Sequence, residues 1–146
     1  MNKNDGVINI FDFDGVVSTG IAPRKCDIII TGRCFDECSV VYNHMRENFE
    51  YDVAVFFNPI QYSRRGDHTE EARSISGRHK ADTIYNLLSQ GVMIGNIFED
   101  DPLQIEFIKI ALTKFFSVDL VRIQNGRKYT SADIPKIIQI MSGVEL

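Results

Sequence analysis

The alternation of apolar and polar positions divides the chain into short runs of two kinds. Residues 7–13 (VINIFDF), 27–31 (DIIIT), 52–57 (DVAVFF), 92–98 and 118–123 are short, rich in β-branched or aromatic residues and bounded by polar or turn-forming ones, and they predict strands. Residues 35–49 place Val40, Val41, His44, Met45 and Phe49 at helical spacing, and residues 78–90 do the same with Ile84, Leu87 and Leu88. Pro102 starts a third helix running to about 116, and Ser131 caps a fourth over 132–141. Residues 62–77 are polar and arginine-rich and read as a loop; Asn125-Gly126 reads as a turn. Strands alternating with helices predict an α/β fold, a three-layer doubly wound sheet, mostly parallel, of about five strands. One link departs from that scheme. Residues 17–27 are too few for a crossover helix, so the first two strands are joined by a compact excursion.

Composition narrows the class. The 146 residues are 44% hydrophobic and 25% charged, with no repeat or linker, and predict a single domain over 1–146. A net charge of −4 without a basic run argues against a dedicated non-specific nucleic-acid binder. No apolar stretch approaches the roughly 20 residues of a membrane helix. MNKNDG lacks the apolar region of a signal peptide, so no membrane association and a cytoplasmic location are expected. Cys26, Cys34 and Cys38 suggest no disulfide framework, and a Cys34–Cys38–His44 grouping fits no usual zinc spacing, so these cysteines read as structural.

The polar residues collect where ligands bind in such sheets, beyond the carboxyl ends of the strands. Asp12 and Asp14 follow the first strand, Thr31 ends the second, and Glu99, Asp100 and Asp101 follow the fourth; Lys80 adds a cation near the start of the second helix. Side chains two apart in an extended segment point the same way, so Asp12 and Asp14 can face one site. Two carboxylates so close need a cation, and carboxylates from two strand ends suit Mg²⁺, a hard ion readily completed by a phosphate.

FDFDGVVS, IITGR, the lysine of HKADTI and FEDD, in this order, resemble the four motifs of the haloacid dehalogenase superfamily, whose members are mostly Mg²⁺-dependent phosphatases. The resemblance runs from about residue 7 to 123, and the first motif is its most specific part. It implies Asp12 as the nucleophile that forms an aspartyl-phosphate and Asp14 as the general acid and base, its pKa raised by a neighbouring carboxylate. Thr31 would hydrogen-bond the phosphate and Lys80 would neutralise charge on nucleophile and phosphate, with Gly32 and Arg33 also touching substrate. Mg²⁺ would sit on Asp12, the carbonyl of Asp14, and acids among Glu99, Asp100 and Asp101, with Glu99 and Asp100 favoured. Neither slot where this family inserts a cap domain has room for one, which implies a capless core. FEDDPLQIE also bears a weaker resemblance to polynucleotide-phosphatase and RNA-repair branches. The expected partner is therefore a phosphorylated substrate, with a nucleotide or nucleic-acid end leading and Arg33, Arg64 and Arg65 as contacts.

Other readings of the same residues exist. His79 reads as a surface histidine, Phe115 and Phe116 as core, and Ser18 and Thr19 as shaping the excursion after the first motif. A phospho-receiver signalling domain also combines acids, Thr and Lys on a doubly wound sheet, but in a different chain order. A catalytically silent binding module of the same fold is the third possibility.

Overall fold

The computed structural model describes residues 6–59, 69–112, 119–124 and 127–128. Its strands are β1 (Val7–Phe11), β2 (Ile28–Cys34), β3 (Ala54–Asn58), β4 (Met93–Glu99), β5 (Asp119–Gln124) and β6 (Arg127–Lys128). Its helices are α1 (Cys38–Asn48), α2 (Glu70–Ser89) and α3 (Pro102–Ala111). The strands lie in the order β3-β2-β1-β4-β5-β6. All pairings from β3 to β5 are parallel, and only the two-residue β6 runs antiparallel. The chain is thus an α/β protein with a parallel sheet. Strand order reverses direction between β1 and β4, which makes the ends of those two strands the natural ligand crevice.

Neighbouring residues of a strand point to opposite faces, and the core divides accordingly. Phe11, Ile29 and Phe98 pack with Val41 and Met45 of α1, the Phe11 and Phe98 rings stacking at 4.5 Å. Ile10, Ile30 and Ile97 pack instead with Ile84 of α2 and Ile105 and Ile108 of α3. Phe13, beyond the end of β1, joins the first cluster, so the residue between the two aspartates anchors the segment that carries them.

The excursion after β1 is confirmed as a 3-10 turn, Val17–Thr19, rather than a helix. Ser18 and Thr19 shape it as expected: Gly15 N–H donates to Ser18 Oγ at 2.9 Å, and Thr19 Oγ1 donates to the Val16 carbonyl at 2.7 Å. Several boundaries differ from the sequence reading, β1 ending at Phe11 and α1 starting at Cys38 among them, and two of the differences bear on the crevice. β2 continues through Gly32 and Arg33 to Cys34, after a register shift that lets Cys34 pair with Asn58. More consequentially, α2 begins at Glu70, so residues 70–77 are helix and not loop. Thr69 caps it, Oγ1 accepting from Ala72 N–H at 3.1 Å, and Glu70 and Glu71 occupy the first turn, where acids suit the helix dipole. Residues 60–68 with Arg64 and Arg65, Phe115 and Phe116, the 125–126 turn and the 132–141 helix lie outside the described residues. Among those described, no helix is long and apolar enough to cross a membrane.

Candidate functional site

At the β1–β4 crevice a buried ammonium bridges two buried carboxylates. Asp12 follows β1 directly and its N–H donates to the Phe98 carbonyl at 3.0 Å, which ties the end of β1 to β4. Lys80, in the middle of α2, donates to Asp12 Oδ1 and to Glu99 Oε2, both at 2.8 Å. Asp12 Oδ1 also accepts from Phe13 N–H at 2.8 Å, and Glu99 Oε1 accepts from the N–H groups of Asp100 and Asp101. The residues are 6%, 3% and 1% exposed for Asp12, Lys80 and Glu99. So little water reaches them that their charges are screened mainly by one another. Burial would lower the Lys80 pKa, but Asp12 and Glu99 outweigh it and hold the amine charged.

Asp100 brings a third carboxylate. Oxygens of Asp12, Glu99 and Asp100 all lie within 4.8 Å of one another. Burial, with the charge of Glu99 behind it, holds Asp12 well above the usual carboxylate range despite Lys80. Burial likewise pushes Asp100 up to about 6. Three carboxylates face one ammonium, an arrangement that a further cation would relieve. Gly15 makes room for Asp100: its φ is +80°, and a Cβ there would overlap the Asp100 carboxylate.

Asp14 is not part of that cluster. Its carboxylate receives Arg33 Nε on Oδ2 and Arg33 Nη2 on Oδ1, each at 2.9 Å, and Arg33 Nη1 reaches Glu37 Oε2 at 3.1 Å. The neighbour expected beside Asp14 was a carboxylate; the structure supplies a guanidinium, because the extension of β2 carries Arg33 up to the rim. Asp12, Asp14, Gly32, Arg33, Lys80, Asp100 and Asp101 do line one cleft, of about 380 Å³.

Thr31 and two of the three consecutive acids have other occupations. Thr31 is fully buried, its Oγ1 accepts from Arg33 N–H at 3.1 Å, and it does not line the cleft, whereas Gly32 and Arg33 do. Asp101 is the N-cap of α3, accepting from Leu103 N–H at 2.9 Å, and is gripped by Arg73 Nε and Nη2 at 2.9 and 2.7 Å. Those bonds hold its carboxyl below the usual range against the effect of burial. Glu99 is buried with both oxygens engaged and does not line the cleft. Of the three, Asp100 is the one whose carboxylate joins Asp12 in the open cleft. The cysteines do not gather with His44, whose ring packs edge-on against Phe13. His79 is half-buried rather than a surface residue, and burial lowers its pKa.

Arg73, Ser76, Gln104 and Glu37 also line the cleft; Arg73 belongs to the arginine-rich stretch read as a loop, with phosphate grips as the alternative, and the other three were not expected there. The first two depend on α2 starting at Glu70. The sequence signal was available in Thr69-Glu70-Glu71, a cap followed by acids. Gln104 enters because Gly77 lets α3 approach α2 closely; a Cβ on Gly77 would lie 2.7 Å from the Phe107 ring and 3.3 Å from Gln104 Cα. Compared with models of known protein families and with curated proteins, the chain matches none.

Proposed function

We propose that the chain is a Mg²⁺-dependent phosphomonoester hydrolase of the haloacid dehalogenase type, a single capless domain with a three-layer doubly wound core. One observation carries the reading: Lys80 bridges Asp12 at the end of β1 and Glu99 at the end of β4, with Asp100 facing Asp12 in the open cleft. The four motifs named from the sequence thus meet at the crevice, apart from the Thr31 side chain. The order 3-2-1-4-5 of the parallel strands also speaks against a receiver-like sheet, which is ordered 2-1-3-4-5.

In this reading an Asp12 oxygen attacks phosphorus and the ester P–O bond breaks, while Asp14 gives its proton to the departing alcohol. Water then attacks the aspartyl-phosphate, Asp14 takes the water's proton, and Asp12 and inorganic phosphate are released. Lys80 and the Phe13 N–H fix the Asp12 carboxylate through Oδ1. The site fits a hard cation, since clustered carboxylate oxygens are the donors it prefers, and Asp12 and Asp100 would hold it with the Asp14 carbonyl. When bound, Mg²⁺ would neutralise charge on the phosphoryl group. Arg33 and Arg73 supply the open cleft with guanidinium groups suited to a nucleotide or nucleic-acid-end phosphate.

The test is a screen of small and macromolecular phosphomonoesters with and without Mg²⁺, using Asp12→Asn as control. Loss of the nucleophile is expected to cost about a thousandfold or more in rate. Equal rates for wild type and variant would end the proposal, and absence of turnover would favour a silent binding module.

A further inference from the structure

Strand β3 closes one side of the sheet. Among the described residues β2 is its only neighbour, so one row of its main-chain N–H and C=O groups faces outward. Natural proteins blunt such edges with charge, proline or a bulge, yet Ala54–Asn58 (AVFFN) contains no charged residue and no proline. Its two faces are apolar as well. Val53, Val55 and Phe57 pack on the α1 side, while Ala54 and Phe56 lie on the opposite face, Phe56 39% exposed. The α1 side has relief. Along the first half of the strand, Met45, Phe49, Tyr51, Val53 and Val55 line a groove of about 430 Å³. Along the second half Phe35 stands 64% exposed, its ring edge-on to Phe57 at 5.4 Å, and Tyr42 meets the same Phe57 ring at 5.6 Å.

We propose that β3 is a homodimer interface, pairing antiparallel with β3 of a second copy about a two-fold axis at Val55. A strand turned about such an axis presents the same groups in reverse order, so an antiparallel edge is complementary to itself. With the axis at Val55, Phe57 falls opposite Val53 of the second copy, the middle of the groove-lining run 51–55, and on the same face. The exposed Phe35–Phe57 pair of each copy then enters the groove of the other, and the contact is made twice. This matching of projection to groove along one strand selects a second copy over a partner of other sequence. The wall is of sufficient size, though barely. Five strand residues span about 17 Å, and α1, the sheet and α2 together are about 30 Å deep. That gives on the order of 500 Å² per copy and about 1,000 Å² for the pair, the lower limit of a specific interface. The dimer is therefore a weak, reversible one.

Sedimentation velocity of the full chain over roughly 1–200 µM should show reversible dimerisation, the regime that an interface of this size implies. Phe35→Lys should raise the dimer Kd by about tenfold or more, the loss counting at both symmetric contacts. Its melting temperature should be kept, because the position is exposed. Val55→Cys reads the register. Residues directly opposite in an antiparallel pair have Cα atoms about 4.5–5.5 Å apart, within the span of a disulfide, and the residue on the axis meets its own copy. In a Cys26→Ser background, mild oxidation should give a covalent dimer with Val55→Cys and none with Met93→Cys, an exposed position on β4. A chain that stays monomeric over the whole range overturns the proposal and leaves the edge to a partner of other sequence. A dimer that Phe35→Lys leaves unchanged, or that Val55→Cys fails to cross-link, overturns it too, by placing the interface elsewhere. If Phe35→Lys proves misfolded, the cross-link decides alone. None of these measurements involves turnover, so failure of the hydrolase reading would leave them intact.

Discussion

Arg33 holds both carboxylate oxygens of Asp14, at 2.9 Å from Nε and 2.9 Å from Nη2. The pair sits at the rim of the cleft, Asp14 half-exposed and Arg33 a quarter exposed. Its importance therefore lies in orientation more than in stability, because exposed ion pairs contribute about 0–1 kcal/mol. If Asp14 is the proton donor, Asp14→Asn should lower kcat by about two to four decades while Mg²⁺ affinity is largely kept. Arg33→Ala should cost less alone, and little more when added to Asp14→Asn, because its partner is already gone. A double-mutant cycle on kcat/KM measures this. Strictly additive losses would show that Arg33 acts on substrate independently of Asp14.

Lys80 is expected to be a structural keystone as well as a site residue. Lys80→Met would leave Asp12 and Glu99 buried without their cation, a change that typically costs about 3–5 kcal/mol. Urea denaturation should show a large drop in midpoint, partly recovered when Glu99→Gln is added. If the single variant were as stable as wild type, the bridge would not have the role its burial implies.

The three consecutive acids should separate cleanly by substitution. Mg²⁺ should raise the melting temperature of wild type, by linkage amounting to about 2.7 kcal/mol at a hundredfold excess over Kd. Asp100→Asn should abolish that response. Asp101→Ala should keep the response but lower the baseline by about 1 kcal/mol through loss of the α3 cap. Reversed behaviour of the two variants would reassign the cation to the other acid.

Much of this was legible in the sequence, and the omissions have specific causes. VINIFDFDG announces a buried strand, a pair of acids and a turn, and Lys80 could be picked out by its place in the order of the motifs, although it stands in the middle of α2 and not near a helix start. Ser76 and the helical setting of Arg73 could not be picked out, because Arg73, Ser74 and Ser76 gave residues 70–77 no apolar stripe. That part of α2 buries Ala72, Ser76 and Gly77, small residues that allow close helix contact and leave a weak hydrophobic pattern. Thr31 was misplaced for the opposite reason. Gly32 reads as a stop, but here it lets Ser76 approach while the strand continues, so Thr31 stays inside. Asp101 stood behind Glu99 and Asp100 in the sequence reading, and its cap and Arg73 contacts give it another occupation. Nothing in the sequence, however, set Glu99 apart as the buried partner of Lys80.

Away from the cleft, Asp27 provides a pH test. It is 1% exposed and accepts from Asn9 N–H at 2.9 Å, Arg24 N–H at 2.7 Å and the Arg24 guanidinium at 2.8 Å. Burial alone would raise its pKa, but these donors outweigh it and leave the pKa below the ordinary 3.8. A depressed carboxyl stabilises the fold above its unfolded pKa and loses that contribution as pH falls through the folded value. Asp27→Asn should therefore be less stable than wild type by about 1–3 kcal/mol at pH 7, the two converging below about pH 4. Denaturation midpoints at pH 7 and pH 3 give the comparison, and a gap that widened in acid would contradict it.

Helix α2 carries Arg73, Ser76 and Lys80 at intervals of three and four residues, on one side of a single rod. At 1.5 Å per residue, the seven steps from Lys80 back to Arg73 measure about 10 Å. The rod thus works as a ruler, with a buried ammonium at the zero mark and a guanidinium two turns away. Its graduations cannot shift independently, because no break in the helix separates them. One alanine inserted between Ser76 and Lys80 would turn the far marks by about 100° while leaving the zero in place. Ligands short enough to need only the zero mark should tolerate that insertion; those long enough to reach the second should not.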